Sequence, residues 1–212
     1  EIFKDATWFH LSGITLALGE RVRKVAFRAV KEAKKHNVPV SFDFNYRSKL
    51  WTVEEAKPVY KKIMEYVNIV FASFYDANTI LEIPLDPEFE GKTLSEKRRN
   101  VFPKMIKKYN LHYIFGTDRV VYTATDNSLA GYYFWLKDNE LSWELTEPIR
   151  FNIFDRIGGG DAFASGVIHG LLLNYHDPAY AVRYGLNTSV LKHTIYGDAS
   201  TTSCEDIETF MA

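Results

Sequence analysis

The chain has 212 residues, enough for one domain or one with a small appendage, and its 46% hydrophobic and 25% charged content excludes a disordered or collagen-like polymer. Twenty-six basic against 27 acidic residues leave a net charge of −1, so no positive excess points to nucleic acid or to an anionic membrane as partner. A single cysteine, Cys204, closes no intrachain disulfide and builds no cysteine-based zinc cage, so a reducing, cytoplasmic setting is expected. Near the C-terminal end, the longest run free of Asp, Glu, Lys and Arg is 162–176, which contains Ser165, His169 and Asn174. That is shorter than the ~18 to 20 apolar residues that span a bilayer, and no membrane segment is expected. The opening Glu1-Ile2-Phe3-Lys4 is neither an initiator nor a secretory leader, so the expectation is a chain that starts in mid-protein.

In chain order, 6–11 is a short β-rich run ending at Ser12-Gly13, and 18–36 places Val22, Val25, Ala26, Ala29, Val30 and Ala33 at helical spacing. Residues 38–44 form a second apolar strand, followed by a helix over 51–64 that Thr52 and Glu55 open as a capping box. Residues 68–73 are almost continuously apolar, as in a strand covered on both faces, and a short helix follows over 76–82. After the break at Pro84 and Pro87, 90–108 is polar and mostly helical despite Pro103, and 111–115 is a fourth strand ending at Gly116. Residues 120–124, 131–136 and 150–154 read as strands without intervening helices. Helices return over 162–173 and 178–193, and a last one is capped by Ser203 with Asp206 three positions on. There is no internal repeat or linker, and the expectation is a single unit over 1–212.

Repeated strand–helix alternation predicts an α/β fold with a parallel-dominated sheet and helices on both faces. Ligands of such sheets collect beyond the carboxyl ends of the strands. The segments there are Ser12-Gly13-Ile14, Asn45-Tyr46-Arg47, Ser73-Phe74-Tyr75-Asp76 and Gly116-Thr117-Asp118-Arg119, all polar or glycine-bearing.

The stretch richest in chemistry is Phe154-Asp155-Arg156-Ile157-Gly158-Gly159-Gly160-Asp161-Ala162-Phe163. Consecutive glycines let backbone N–H groups turn inward as an anion nest at a helix start, where the dipole favours negative charge. Asp161, in the first helical turn, is placed to take a proton from a hydroxyl that attacks a phosphorus held there. On these residues alone, a flexible glycine loop with Asp161 as an ordinary first-turn acid is an equal reading. Gly166 and Gly170 are expected to bring this helix close to the sheet. A dinucleotide fingerprint is excluded, because its third glycine position is Phe163 and no acid ends a following strand about 20 residues on.

The stretch resembles the C-terminal signature of the ribokinase-like (PfkB) carbohydrate kinases, with Gly159 where that family has alanine. Within the family the chain is most similar to the 2-keto-3-deoxygluconate kinases. The similarity is carried by Trp8-Phe9-His10-Leu11-Ser12-Gly13-Ile14, by Asp43-Phe44-Asn45-Tyr46-Arg47-Ser48-Lys49-Leu50-Trp51, by the glycine stretch, and by Leu191-Lys192-His193-Thr194-Ile195-Tyr196-Gly197-Asp198.

The resemblance implies ATP- and magnesium-dependent phosphorylation of the primary hydroxyl of a sugar acid, with Asp161 as base, Gly158, Gly159 and Gly160 as anion hole, and Asp155 supporting the loop. It gives Arg47 a role toward the sugar acid and the transferred phosphate, with Asn45, Gly13 and Ile14 beside them and Ser12 flanking the substrate. Asp43 and Asp76 would serve magnesium, and Gly116, Asn187 and His193 the nucleotide.

Each assignment has a plain structural counterpart: an acid-paired surface Arg47, a turn capped by Asp43 and Asn45, and a satisfied buried His193. Arg119 stands where the family's nucleotide loop has glycine and contacts phosphate or sits in solvent; Trp8 and Trp51 are expected in the core. Asp76 keeps a charge where the family's Asn-x-x-Glu pattern is otherwise lost to Ser73. Family members carry further sequence ahead of the position matching Glu1, including the first strands and a small β-sheet lid over the sugar. The chain is therefore expected to lack them and to self-associate through the exposed sheet edge. A non-catalytic nucleotide- or anion-binding fragment is the competing reading.

Overall fold

In a computed structural model, which describes residues 1–137 and 139–212, the first β-rich run forms strand β1 (Phe9–Ser12). Helices α1 (Gly13–Ala17) and α2 (Glu20–Lys35) follow, with Gly19 at positive φ between them. Strand β2 (Val40–Asp43), helix α3 (Val53–Ile63) and strand β3 (Ile69–Phe71) continue the alternation. Thr52 and Glu55 close the capping box: Thr52 Oγ1 accepts from the Glu55 N–H and the Glu55 carboxylate accepts from the Thr52 N–H. The buried face of α3 is Ala56, Val59, Tyr60 and Ile63, the i, i+3, i+4, i+7 stripe of an amphipathic helix.

The short helix expected over 76–82 is present as a π-helix over Asp76–Ile80, and α4 (Leu94–Tyr109) contains Pro103 and ends on left-handed Asn110. Strand β4 (Tyr113–Val121) does not end at Gly116: it runs on through Arg119, absorbing the first part of the strand expected over 120–124. Strands β5 (Asp126–Lys137), β6 (Glu140–Leu145) and β7 (Ile149–Asn152) precede helices α5 (Gly159–Leu173), α6 (Pro178–Lys192) and α7 (Cys204–Met211). The Ser203–Asp206 capping box of α7 is formed as its spacing predicts.

Among the described residues the strands form a sheet ordered β1-β2-β3-β4-β5-β6, with β7 paired to β5. β1 is parallel to β2 and β2 to β3, whereas β7 is antiparallel to β5, so the sheet is mixed. The chain divides into two compact units.

In the first, Glu1–Ile114 with Phe134–Ser142, the core gathers Val40, Phe42, Phe44, Tyr60, Ile69 and Met64. The Tyr60 ring packs against Phe42, Phe44 and Trp51 at centroid distances of 5.6, 5.2 and 5.3 Å. Trp51 is buried as expected; Trp8 is half-buried, its Nε1 donating to Ser41 Oγ at 2.9 Å. Each such large apolar side chain contributes about 1.5–3 kcal/mol on burial.

In the second unit, Phe115–Tyr133 with Trp143–Ala212, Leu129, Leu186 and Val190 pack with Ile149 and Phe151, and α5 lies against α6. Gly166 and Gly170 serve that helix pair rather than the sheet. A Cβ at Gly166 would come within 2.8 Å of Gly185 Cα, and one at Gly170 within 2.7 Å of Ala181 Cα. No described helix is long and apolar enough to cross a membrane.

Candidate active site

Parallel pairing brings the carboxyl ends of the first three strands into register: Ser12 lies opposite Asp43, and Asp43 opposite Phe71. The polar segments that follow are thereby gathered within the first unit. Ser12 caps α1, its Oγ accepting from the Ile14 N–H at 3.4 Å and from Asn45 Nδ2 at 3.3 Å. Asn45 takes the left-handed conformation (φ 40°), which an Asx side chain tolerates, and its N–H donates to Asp43 Oδ1 at 3.0 Å. Gly13 is required by contact: a Cβ there would lie 2.0 Å from the Phe44 carbonyl oxygen. That carbonyl also accepts from the Tyr60 hydroxyl at 2.7 Å. Burial, with Asp76 and Asp43 adding to it, pushes the Tyr60 phenol well up, so it remains a donor.

Arg47 is exposed, donates to the Tyr46 carbonyl at 3.2 Å, and pairs with no carboxylate among the described residues. The acid-paired surface arginine is therefore not what the structure contains. Asp76 is buried and closes a box with Ser73: its Oδ2 accepts from the Ser73 N–H at 2.7 Å and from Ser73 Oγ at 2.6 Å. Burial raises its pKa against the opposing pull of those hydrogen bonds. Among the described residues no three His, Cys, Asp or Glu side chains cluster to hold a metal. An ion such as Mg²⁺, which keeps waters and is bound largely through substrate phosphates, needs few protein carboxylates.

In the second unit, Gly158 is the left-handed N-cap of α5 (φ 79°) and offers the helix no side-chain cap. A Cβ at Gly158 would also fall 2.2 Å from the Asp198 carbonyl oxygen, so only glycine fits. Asp155 braces this turn from both sides, accepting from the Ile157 N–H and the Gly197 N–H, each at 2.9 Å. Those two backbone bonds hold its carboxyl below its ordinary value. Gly160 has open space where a Cβ would be, and Asp161 is exposed in the first turn of α5.

Gly159 rests on His193: a Cβ there would lie 2.3 Å from His193 Cε1. Ser189 Oγ donates to the Gly159 carbonyl at 2.8 Å. His193 is fully buried, with Nδ1 2.6 Å from the Ser189 carbonyl and Nε2 2.8 Å from Arg119 Nη2. A guanidinium only donates and a carbonyl only accepts, so the ring is neutral with its proton on Nδ1. Burial, chiefly, holds its pKa down, in keeping with that state. Asn187 is buried within α6, its Nδ2 donating to the Arg183 carbonyl at 2.8 Å. Gly116 lies in β4 against Tyr132, whose Oη is 2.2 Å from a Cβ built there.

Two participants escape a sequence reading. Tyr60 looks like one more apolar-face residue of α3, and Ser189 carries no local signal; each is identified only by a carbonyl that folding brings to it.

Comparison with known proteins agrees with this architecture. The chain is 29% identical to a 2-dehydro-3-deoxygalactonokinase of Haloferax volcanii over 98% of its own length and 58% of that protein. It is 28% identical to a 2-dehydro-3-deoxygluconokinase of Haemophilus influenzae over 78% of its length and 46% of that protein. It superposes with a TM-score of 0.84 on the crystal structure of 2-dehydro-3-deoxygluconokinase from Thermotoga maritima, at 33% identity, covering 99% of this chain and 61% of that one. The chain thus spans about half to three-fifths of the length of these relatives. The profile described as pfkB family carbohydrate kinase matches residues 1–203, and the chain belongs to that family.

Proposed function

We propose that this chain carries the phosphoryl-transfer centre of a cytoplasmic kinase that converts 2-keto-3-deoxygluconate to its 6-phosphate with ATP. The observation that carries the reading is Asp161, exposed in the first turn of α5 directly behind the uncapped, left-handed turn at Gly158. The Gly160 and Asp161 N–H groups and the helix dipole suit the phosphoryl group in flight, with the Gly159 N–H turned to the Arg156 carbonyl at 3.4 Å, and the open face at Gly160 leaves room for it. A carboxylate of Asp161 takes the proton of the C6 hydroxyl as its oxygen forms a bond to the γ-phosphorus; the bond from that phosphorus to the bridging oxygen breaks, and ADP leaves with the electron pair.

In the first unit, Arg47 has the fork geometry that binds a carboxylate in two parallel hydrogen bonds, and among the described residues it has no acid partner. The Ser12–Asn45–Asp43 network fixes the loop that carries it. Magnesium, which screens the phosphate charge when bound, would draw on Asp43, with Asp76 committed to its box with Ser73. Gly116 and Asn187 enter only as backbone and helix positions of the nucleotide site. Self-association through the edge of β1 belongs to the same proposal and is checked by sedimentation at rising concentration.

A coupled ADP-release assay with magnesium ATP tests the activity, using 2-keto-3-deoxygluconate, 2-keto-3-deoxygalactonate and a neutral sugar as acceptors. It is run on the 212-residue chain and on the full-length protein. Preferred turnover of 2-keto-3-deoxygluconate supports the proposal. Preference for the neutral sugar, or no acid-dependent ADP release by the full-length protein, overturns it.

A further inference from the structure

The constellation beneath the glycine turn contains a cation that the activity above leaves unused. Arg119 and His193 stand 74 residues apart in sequence, and Arg119 Nη2 donates to His193 Nε2 at 2.8 Å. The same Nε2 lies 2.8 Å from where a Gly159 Cβ would be, so the guanidinium is one imidazole ring away from the middle residue of the anion nest. His193 is locked in this pose. Its Nδ1 is taken by the Ser189 carbonyl, its ring stacks near Phe151 at 5.0 Å, and its own carbonyl accepts from the Phe154 and Asp155 N–H groups at 2.8 and 3.2 Å. The turn and the arginine are therefore mounted on one residue.

Arg119 is half-buried, no carboxylate pairs with it among the described residues, and its Nη1 is buried with no hydrogen-bond partner. A guanidinium withdrawn from water without an acid is costly, and the cost is removed when an anion arrives. A second guanidinium, Arg156, is near enough to add to the burial that lowers the Arg119 pKa, and it too has no acid partner among the described residues. Asp155, the acid that braces the turn, is already engaged by the Ile157 and Gly197 amides.

We propose that Arg119, oriented by neutral His193, binds a phosphate of the nucleotide held at the glycine turn. The proposal rests on the reading that a nucleoside triphosphate occupies that turn. Arg119 thereby supplies from strand β4 a charge-assisted contact to the polyphosphate, with His193 as its positioning residue.

The test is calorimetric binding to the full-length protein of three probes: magnesium ATP, inorganic tripolyphosphate and adenosine. Arg119→Gln should weaken ATP and tripolyphosphate by roughly 10- to 100-fold, the scale of one charged hydrogen bond, and leave adenosine unchanged. Arg119→Lys, which keeps the charge and a donor for His193, should fall between. His193→Asn should reproduce part of the loss, with a rise in KM for ATP and little change in KM for the sugar acid. Unchanged tripolyphosphate affinity in Arg119→Gln overturns the proposal. So does equal weakening of adenosine, which marks a merely structural arginine, or a KM rise confined to the sugar acid, which assigns Arg119 to the substrate carboxylate. Arginine-dependent tripolyphosphate binding by a protein that phosphorylates no sugar acid would sink the kinase reading and leave this site standing.

Discussion

Asp155 reaches across 42 residues of sequence to accept the Gly197 N–H at 2.9 Å, while its other oxygen holds the Ile157 N–H. One carboxylate thus ties the glycine turn to the loop after α6, whose Asp198 carbonyl in turn crowds Gly158. Asp155→Ala should loosen the turn and lower the turnover number more than it lowers the melting temperature; Asp155→Asn, which keeps one acceptor oxygen, should do less. Because its folded pKa is depressed, the stability Asp155 lends is complete above its ordinary value and is lost as pH falls through the lower folded value. A melting-temperature series below pH 4 on wild type and Asp155→Asn checks this sign.

Asp161→Asn in the full-length protein should reduce the turnover number by ~10² to 10⁴, the range for a positioned general base, with ATP affinity nearly unchanged. The side chain is exposed, so the fold tolerates the change. Steady-state kinetics with a parallel ATP titration give the answer, and retention of more than half the activity removes Asp161 from the base role.

Arg47→Lys should cost more with a sugar acid than with a neutral sugar, since a lysine cannot form two parallel hydrogen bonds to a carboxylate. Among the described residues no acid partner is lost in making the change. Equal losses on both acceptors would confine Arg47 to phosphate, and unchanged kinetics on both would leave it without a part in binding.

His193 predicts a pH dependence of opposite cause to that of Asp155. Burial, then the neighbouring Arg119, Lys192 and Arg156, hold it below its ordinary value, against the opposing Ser189 hydrogen bond. The unfolded chain then binds the proton first, so stability is full above about pH 6.5 and declines as pH falls from there toward the folded value. Melting temperatures from pH 8 to 5 should show this decline in wild type and a flatter profile in His193→Gln. Identical slopes in the two proteins contradict it.

Much of this was legible because it is local. A hydroxyl and an acid three residues apart mark the start of α3 at Thr52 and Glu55, and of α7 at Ser203 and Asp206, since both partners lie within one helical turn. The alternation of strands and helices, the glycine turn and the acid behind it are likewise short-range patterns. Tertiary structure decided the rest. Gly116 reads as a strand end, yet β4 continues to Val121, where the Tyr122 N–H meets the Asp126 carbonyl across the turn into β5. That extension carries Arg119 to His193 instead of leaving it in a loop. Gly166 and Gly170 have the small size that permits close approach, but size does not name the partner, and the α5–α6 packing supplied it. Asp76 shows the same division: its three-residue spacing from Ser73 is written in the chain, whereas the burial that raises its pKa goes with the packing of its π-helix against α3 and α4. Short-range hydrogen bonds depend on spacing along the chain; burial and long-range pairing depend on which distant segments are brought together, and no window of sequence contains both partners.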